Sequence, residues 1–524
     1  MSEKLQKYIE NKKYDLALQL INKLQKKQYS LEYHNYKIVV YLLAQKYDAA
    51  LIDLNELIQK YPNDPSILCN MGLAYKGKKK FNDAINFLNK SLQIDSVNLN
   101  TKLNLIETYI EIFNYKSAIE LLKSILQNNL RIERCYQLLA FCYREINEFK
   151  ESHYNLECAI NINPYNYENF YHIGFSFIWK KDFCNAITSF KKCKELNKNY
   201  IPAVYQLNKL INVKLNSDEF NQINAINDDD LDTFNLGYKH LTLSEVYYNH
   251  NDYGHFFIHL HKANQLKNSL INFKPYEHIK IKDQYNNLVK FNFENLEITP
   301  VFIIGMPRSG SSLIEQVLSE SEDIYAAGEI PLLHENFKTI FEKKEIVINY
   351  EILNFIKNHY IDYITLFPKK KFFIDKLPLN FLWLGFIKII FPNAIFIHSI
   401  RNKLDVCMSL YRTFFADGIL EFSYNQKNIS NFYSIYEDMI SFWKSENINL
   451  IDLQYEDLIN DPKFNFGILF DKLNLKFNKA FLDLENIDRP VKTASFLQIN
   501  NKIKKIKYPD WTNYKKDIEL FLNN

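Results

Sequence analysis

Six short stretches in the first half of the chain share one order: an aromatic residue, two variable positions, then a small residue. They are Tyr14–Ala17, Tyr47–Ala50, Phe81–Ala84, Tyr115–Ala118, Phe149–Ser152 and Phe183–Ala186, and their small residues lie 33, 34, 34, 34 and 34 positions apart. Apolar residues recur at helical spacing within each period, so each period predicts two antiparallel helices. Gly72 and Gly174, with Ala140 in the equivalent place, come 12 residues before their small partners, where the first helix would pack closely on the second. Tyr75 and Tyr143 follow three residues later, and the repeated aromatic positions are expected in the core. Pro62 and Pro164 fall where a helix should stop, since proline has no N–H to continue it. A further unit is expected at Asp252–Ala263, with Phe256 in the small-residue place, after a polar insertion, NSDEFNQINAINDDDLDT.

The period of 34 with this patterning resembles the tetratricopeptide repeat. It implies an all-α solenoid over residues 1–270, in which no unit buries its apolar face alone. Such an array either binds a peptide or protein or serves self-association and support. Residues 271–298 lose the period and read as a linker with a helix. From Pro300 the pattern changes to short runs of β-formers separated by helical segments: 301–305, 371–376, 394–401 and 448–458. Strands alternating with helices predict a parallel sheet with crossovers, here over residues 299–524. Ligands of such sheets bind beyond the C-terminal ends of the strands.

Composition changes this picture little. The chain has 524 residues, 64 basic and 61 acidic, so a net charge of +3 does not demand nucleic acid or a membrane surface. No apolar run approaches the roughly 20 residues of a membrane span, and the charged beginning MSEKLQKYIENKKYD lacks the apolar stretch of a signal peptide. Seven cysteines without a C-x-x-C pair read as small buried thiols, and a cytoplasmic setting is the expectation.

The candidate chemistry begins at VFIIGMPRSGSSLIEQVL, residues 301–318. Two glycines flank four residues and hydroxyls open a helix, as in a phosphate loop, but Ser311 stands where a triphosphatase carries lysine. Glycines admit backbone amides to an anion, and a helix expected from Ser312 adds unpaired N–H groups and a partial positive charge. Ser312 and Glu315 have capping-box spacing. Arg308 offers a planar, permanent cation. Without the lysine the loop suits one bridged phosphate rather than ATP hydrolysis, and no metal is required; Asp375 would be the acid to hold Mg²⁺ if one were. Other residues expected to converge after strands are Lys376, Arg401 with Ser409, Tyr455 and, past the first helix, Glu329.

Together PRSGSSL, AAGEI, DKLP, the Arg401-to-Ser409 spacing and TASFLQI resemble the sulfotransferases that use 3′-phosphoadenosine-5′-phosphosulfate (PAPS), in particular the tyrosylprotein type and bacterial fusions with tetratricopeptide repeats. The resemblance covers roughly residues 299–524 and implies a three-layer α/β domain with a P-loop-like core. It implies that Arg308, Ser309, Gly310, Ser311 and Ser312, with Leu313 behind them, hold the 5′-phosphosulfate. Arg401 and Ser409 would hold the 3′-phosphate, and Tyr455 would lie at the nucleotide. Glu329 would be the catalytic base, Lys376 would stabilise the bridging oxygen of the leaving phosphate, and Ser495 would lie near the sulfuryl group. The implied activity transfers a sulfuryl group to a hydroxyl or amine, releasing adenosine 3′,5′-bisphosphate; the acceptor would be a peptide or protein presented by the repeats. His334 and His398 invite comparison with relatives that use a histidine base, but His398 lies within a strand and reads as buried. The chain departs from the pattern after Gln498, where Asn500 and Asn501 precede Lys502 and Lys504, and Asp510 precedes Trp511. An ATP-dependent phosphotransferase and a non-catalytic repeat scaffold stay open as alternatives.

Overall fold

The structure is a computed structural model that describes residues 3–27, 31–127, 131–289, 291–343, 347–416, 418–484, 489–490, 492 and 511–522. Its contacts divide the chain into two compact units, Met1–Glu145 and Ile146–Asn524.

The first unit is a run of paired helices. The second helix of each pair starts at the repeated aromatic: Tyr14–Lys27, Tyr47–Lys60, Phe81–Ile94 and Tyr115–Gln127. Ala17, Ala50, Ala84 and Ala118 are fully buried, which explains why the position stays small. At Gly72 an added Cβ would lie 2.6 Å from Leu88 Cγ, so the two helices touch there with no room for a side chain. The aromatics differ from expectation. Tyr115 is buried, but Tyr14, Tyr47 and Phe81 are only half-buried, because the first position of a helix sits at the edge of the contact face. First helices are capped by side chains: Asp64 accepts from the Ser66 and Ile67 amides, with Pro65 beginning the helix, and Asn98 accepts from the Thr101 amide. Two residues before each second helix the backbone turns left-handed, at Lys12, Gln45, Lys79 and Phe113, without a glycine.

The second unit opens with the same grammar. Helices Phe149–Ile162, Tyr167–Trp179 and Phe183–Leu196 bury Ser152 and Ala186, and a Cβ at Gly174 would lie 2.7 Å from Phe190 Cε1. The left-handed turns recur at Asn147, Lys181 and Asn251. Helix Ile201–Ile211 follows. The polar insertion then forms the short helix Asp218–Asn224, capped by Ser217, and a single turn at Asp228–Asp230. The last hairpin, Thr233–Asn249 and Tyr253–Ser269, confirms a helix pair where one was expected, with Phe256 fully buried. Residues 271–298 carry the expected helix, His278–Asn286. Tyr285 packs there edge-on to Trp443, 5.0 Å between ring centres.

The sheet has five parallel strands: β1 (Thr299–Gly305), β2 (Ile324–Ala326), β3 (Phe372–Asp375), β4 (Ile395–Ile400) and β5 (Leu450–Gln454), in the order β2-β3-β1-β4-β5. Strand β2 was not expected; three residues are too few to show alternation. The run expected to 458 ends at Gln454, because Tyr455–Asn460 turns into a helix.

Side-chain alternation along β1 separates two faces. Val301 and Ile303 join a core with Leu313, Ile314 and Val317 of helix Ser311–Leu318 and with Phe466 and Phe470 of helix Pro462–Lys472. That same core includes Ile178, Phe190 and Leu207 from the helical segment. Phe302, on the other face, packs against Tyr360 and Phe391. Helices therefore cover both faces, and repeat helices supply part of one layer. Among the described residues no helix is long and apolar enough to cross a membrane.

Candidate active site

Strand β1 is central; the connection leaving it runs toward β2 and the one leaving its neighbour β3 runs the other way, to β4, a topological switch of the kind at which parallel sheets bind ligands. Gly305 has φ +141°, and a Cβ there would meet the Ser399 carbonyl oxygen of β4 at 2.4 Å. Gly310 has φ +102°, and a Cβ there would lie 2.3 Å from Tyr455 Cδ2. Tyr455, the first residue after β5, thus walls the loop directly. Between them Arg308 also takes a left-handed backbone, φ +73°, a costly conformation for a side-chain-bearing residue.

The loop is held by its carbonyls. Ser399 Oγ donates to the Ser309 carbonyl at 3.0 Å, and Arg401 Nη1 donates to the Arg308 carbonyl at 3.0 Å. Arg308 Nε donates to Ser409 Oγ at 2.9 Å, and the Arg401 guanidinium lies 4.5 Å from the centre of the Tyr455 ring. Arg308, Arg401, Ser409 and Tyr455, spread over the expected strand ends, therefore converge on one loop. Ser311 and Ser312 open the helix at Gly310. Ser495, with the Thr493–Asp510 stretch discussed above, lies outside the described residues.

One sequence expectation is corrected here. The helix begins at Ser311 with Gly310 as its cap, and no side chain caps it. Glu315 does not turn back to its own helix start. It is buried, and its Oε1 accepts from the Gly328 amide at 2.9 Å and from Arg489 Nη2 at 2.6 Å. Tertiary cations outcompete the local cap.

That arrangement places the second half of the site. Gly328 also accepts from the Lys376 amide at 2.9 Å, so the AAGE loop is pinned to the end of β3. Lys376, fully buried, donates through Nζ to Glu329 Oε1 at 2.6 Å and lies 4.0 Å from Glu315 Oε2. Glu329 is 43% exposed, so its carboxylate reaches from the buried ammonium to solvent. Sequence reasoning missed Glu315 and Arg489. The available signal was a carboxylate following Leu313 and Ile314 in SSLIEQVL and one of the domain's few arginines.

The other titratable groups take structural roles. Asp375 is fully buried, its Oδ2 accepts from Tyr360 Oη at 3.3 Å, and burial holds its carboxyl well above the usual range. His334 is buried between Tyr276 and Trp383, which donates to Nδ1 at 3.1 Å, and burial pushes it down to about 3. His398 is buried as expected, bonded to Asp452 at 2.8 Å and Tyr436 at 2.6 Å; that contact draws Asp452 down to about 2.

The residues fit a phosphorylated nucleotide. The buried Ser309 hydroxyl has no hydrogen-bond partner among the described residues, in a loop whose carbonyls are already engaged. Two guanidiniums and a helix start face the same place.

Residues 300–479 match the model of the sulfotransferase family. An uncharacterized protein of Aquifex aeolicus (strain VF5) is 30% identical over 298 residues, 52% of this chain and 39% of its own length. The BBSome complex member BBS4 homolog of Drosophila melanogaster is 30% identical over 112 residues, 21% of this chain and 23% of its own length. The chain thus spans well under half of either curated relative. Among solved structures, MamA from Desulfovibrio magneticus RS-1 aligns at 21% identity and TM-score 0.29, covering 34% of this chain and 95% of that one. YrrB, a TPR protein, aligns at 13% and 0.29, covering 36% and 96%. Residues 300–479 of this chain are thus similar to the sulfotransferase family, and the helices before them form an array that resembles tetratricopeptide repeats.

Proposed function

We propose that the chain transfers a sulfuryl group from PAPS to a hydroxyl or amine acceptor, with the repeats of residues 1–270 presenting a peptide or protein acceptor to the domain of residues 299–524. The observation that carries this reading is the pairing of half-exposed Glu329 with buried Lys376 beside a lysine-free phosphate loop walled by Arg308, Arg401 and Ser409. When bound, the donor supplies an activated sulfuryl group. The residues of the chain do the rest. Arg308, Ser309 and the helix start hold the 5′-phosphosulfate, and Arg401 and Ser409 hold the 3′-phosphate. Glu329 takes the acceptor's proton. Lys376 neutralises the charge left on the departing phosphate oxygen, and its burial keeps that interaction strong. Seven free thiols suit a cytoplasmic setting.

Calorimetric titration of adenosine 3′,5′-bisphosphate into the wild type and Arg401→Ala, beside ATP with Mg²⁺, tests the reading. Tight binding of the bisphosphate that the substitution weakens about 10–100-fold is expected. A preference for ATP with Mg²⁺ would overturn the donor assignment and favour a phosphotransferase.

A further inference from the structure

The last pair of the helical segment, Thr233–Asn249 and Tyr253–Ser269, grips one short stretch of the sheet domain, residues 411–414. Arg412 Nη2 donates to both oxygens of Glu245, at 3.1 and 3.3 Å. The two side chains are each 16% exposed, and the Arg412 guanidinium lies 3.3 Å from the centre of the Tyr248 ring. An ion pair sunk this far keeps its geometry, because either charge left alone there would be costly. Fully buried Asn264 donates through Nδ2 to the Tyr411 carbonyl at 2.9 Å, and His261 Nδ1 lies 3.0 Å from Tyr411 Oη. Phe414 packs edge-on to Tyr238, 5.2 Å between ring centres.

The gripped stretch is the end of helix Lys403–Tyr411, one turn past Ser409. Thr413 Oγ1 donates to the Ser409 carbonyl at 2.8 Å, and Ser409 Oγ accepts from Arg308 Nε of the phosphate loop. The helix has nine residues, so a shift of its last turn carries Ser409 with it. Contacts therefore run without a break from Glu245 through Arg412 and its neighbour Thr413 to Ser409 and the loop. We propose that Glu245 is a positioning residue of the donor site: through Arg412 the helix pair of residues 233–269 sets Ser409 for the 3′-phosphate, so the helical segment shapes the nucleotide pocket as well as serving the acceptor. This inference rests on the donor reading above.

The test is calorimetric titration of the full chain with adenosine 3′,5′-bisphosphate and adenosine 5′-monophosphate, using wild type, Glu245→Gln and Tyr248→Leu. Glu245→Gln keeps an acceptor for Arg412 but removes the charge. It is expected to bind the bisphosphate about 10-fold more weakly, with 5′-monophosphate affinity held within about 2-fold. Tyr248→Leu leaves the ion pair whole but takes the ring from the guanidinium, and a loss of about 3-fold confined to the bisphosphate is expected. Amide hydrogen exchange of the wild type gives a reading that needs no variant. The bisphosphate should slow exchange in Thr233–Asn249 and Tyr253–Ser269 and the 5′-monophosphate should not, because a contact that sets the site is strengthened in return by the ligand. That comparison decides the matter if neither variant folds. Equal losses for both ligands, or none, with exchange in the two helices unchanged by the bisphosphate, would overturn the role of Glu245 alone. A wild type that binds neither ligand would overturn the donor reading itself.

Discussion

Before Glu145 the chain makes one contact many times; beyond the ends of its strands it makes many contacts once. In the repeats a buried alanine meets the neighbouring helix in every unit, and each helix pair answers mainly to the pairs beside it. In the site, Glu315 alone joins the phosphate-loop helix to Arg489, to the Gly328 amide and, at 4.0 Å, to Lys376. Repetition localises damage, while a connected set of buried charges spreads it.

The contrast can be broken first through the chemistry. Glu329→Gln should lower kcat by about 10²–10⁴-fold while leaving adenosine bisphosphate affinity in place, measured by turnover beside calorimetry. Retained turnover would reduce the Glu329–Lys376 pair to a purely structural ion pair. Next comes Glu315→Gln. It leaves the buried Lys376 and the Arg489 guanidinium short of a carboxylate, and opening of β3 should become easier by about 3–5 kcal/mol. Amide hydrogen exchange along β1 and β3 reads this locally. The smallest effect belongs to the repeats. Gly72→Val forces a side chain against Leu88 and should cost about 1–3 kcal/mol, seen in exchange within Pro65–Gly77 and Phe81–Ile94 and absent from β1. A Gly72→Val effect that reached β1 would erase the distinction.

The same distinction explains what the sequence made legible. The repeat could be read because each unit restates its spacing, so Ala50, Ala84 and Ala118 identify one another. Residues such as Arg308, Lys376 and Arg401 could be read because strand order alone sends them to one edge. Glu315 could not. Its letter satisfied a local capping rule, and only the fold brings Arg489 to it. The left-handed turns at Lys79 and Phe113 were equally hidden, since neither residue type advertises that backbone.

The wall that Tyr455 builds against Gly310 has a consequence for how the protein is made. The phosphate loop leaves the ribosome with its strand, but its wall emerges on the order of ten seconds later at about 5–20 residues per second. Until β5 docks, β4 lacks its outer neighbour, and the loop has glycines, hydroxyls and an arginine without an enclosure. Enclosure of the phosphate loop is thus a late event in the synthesis of this domain. A chain cut short before β5 keeps the most recognisable motif of the sequence and lacks the Tyr455 ring that walls it.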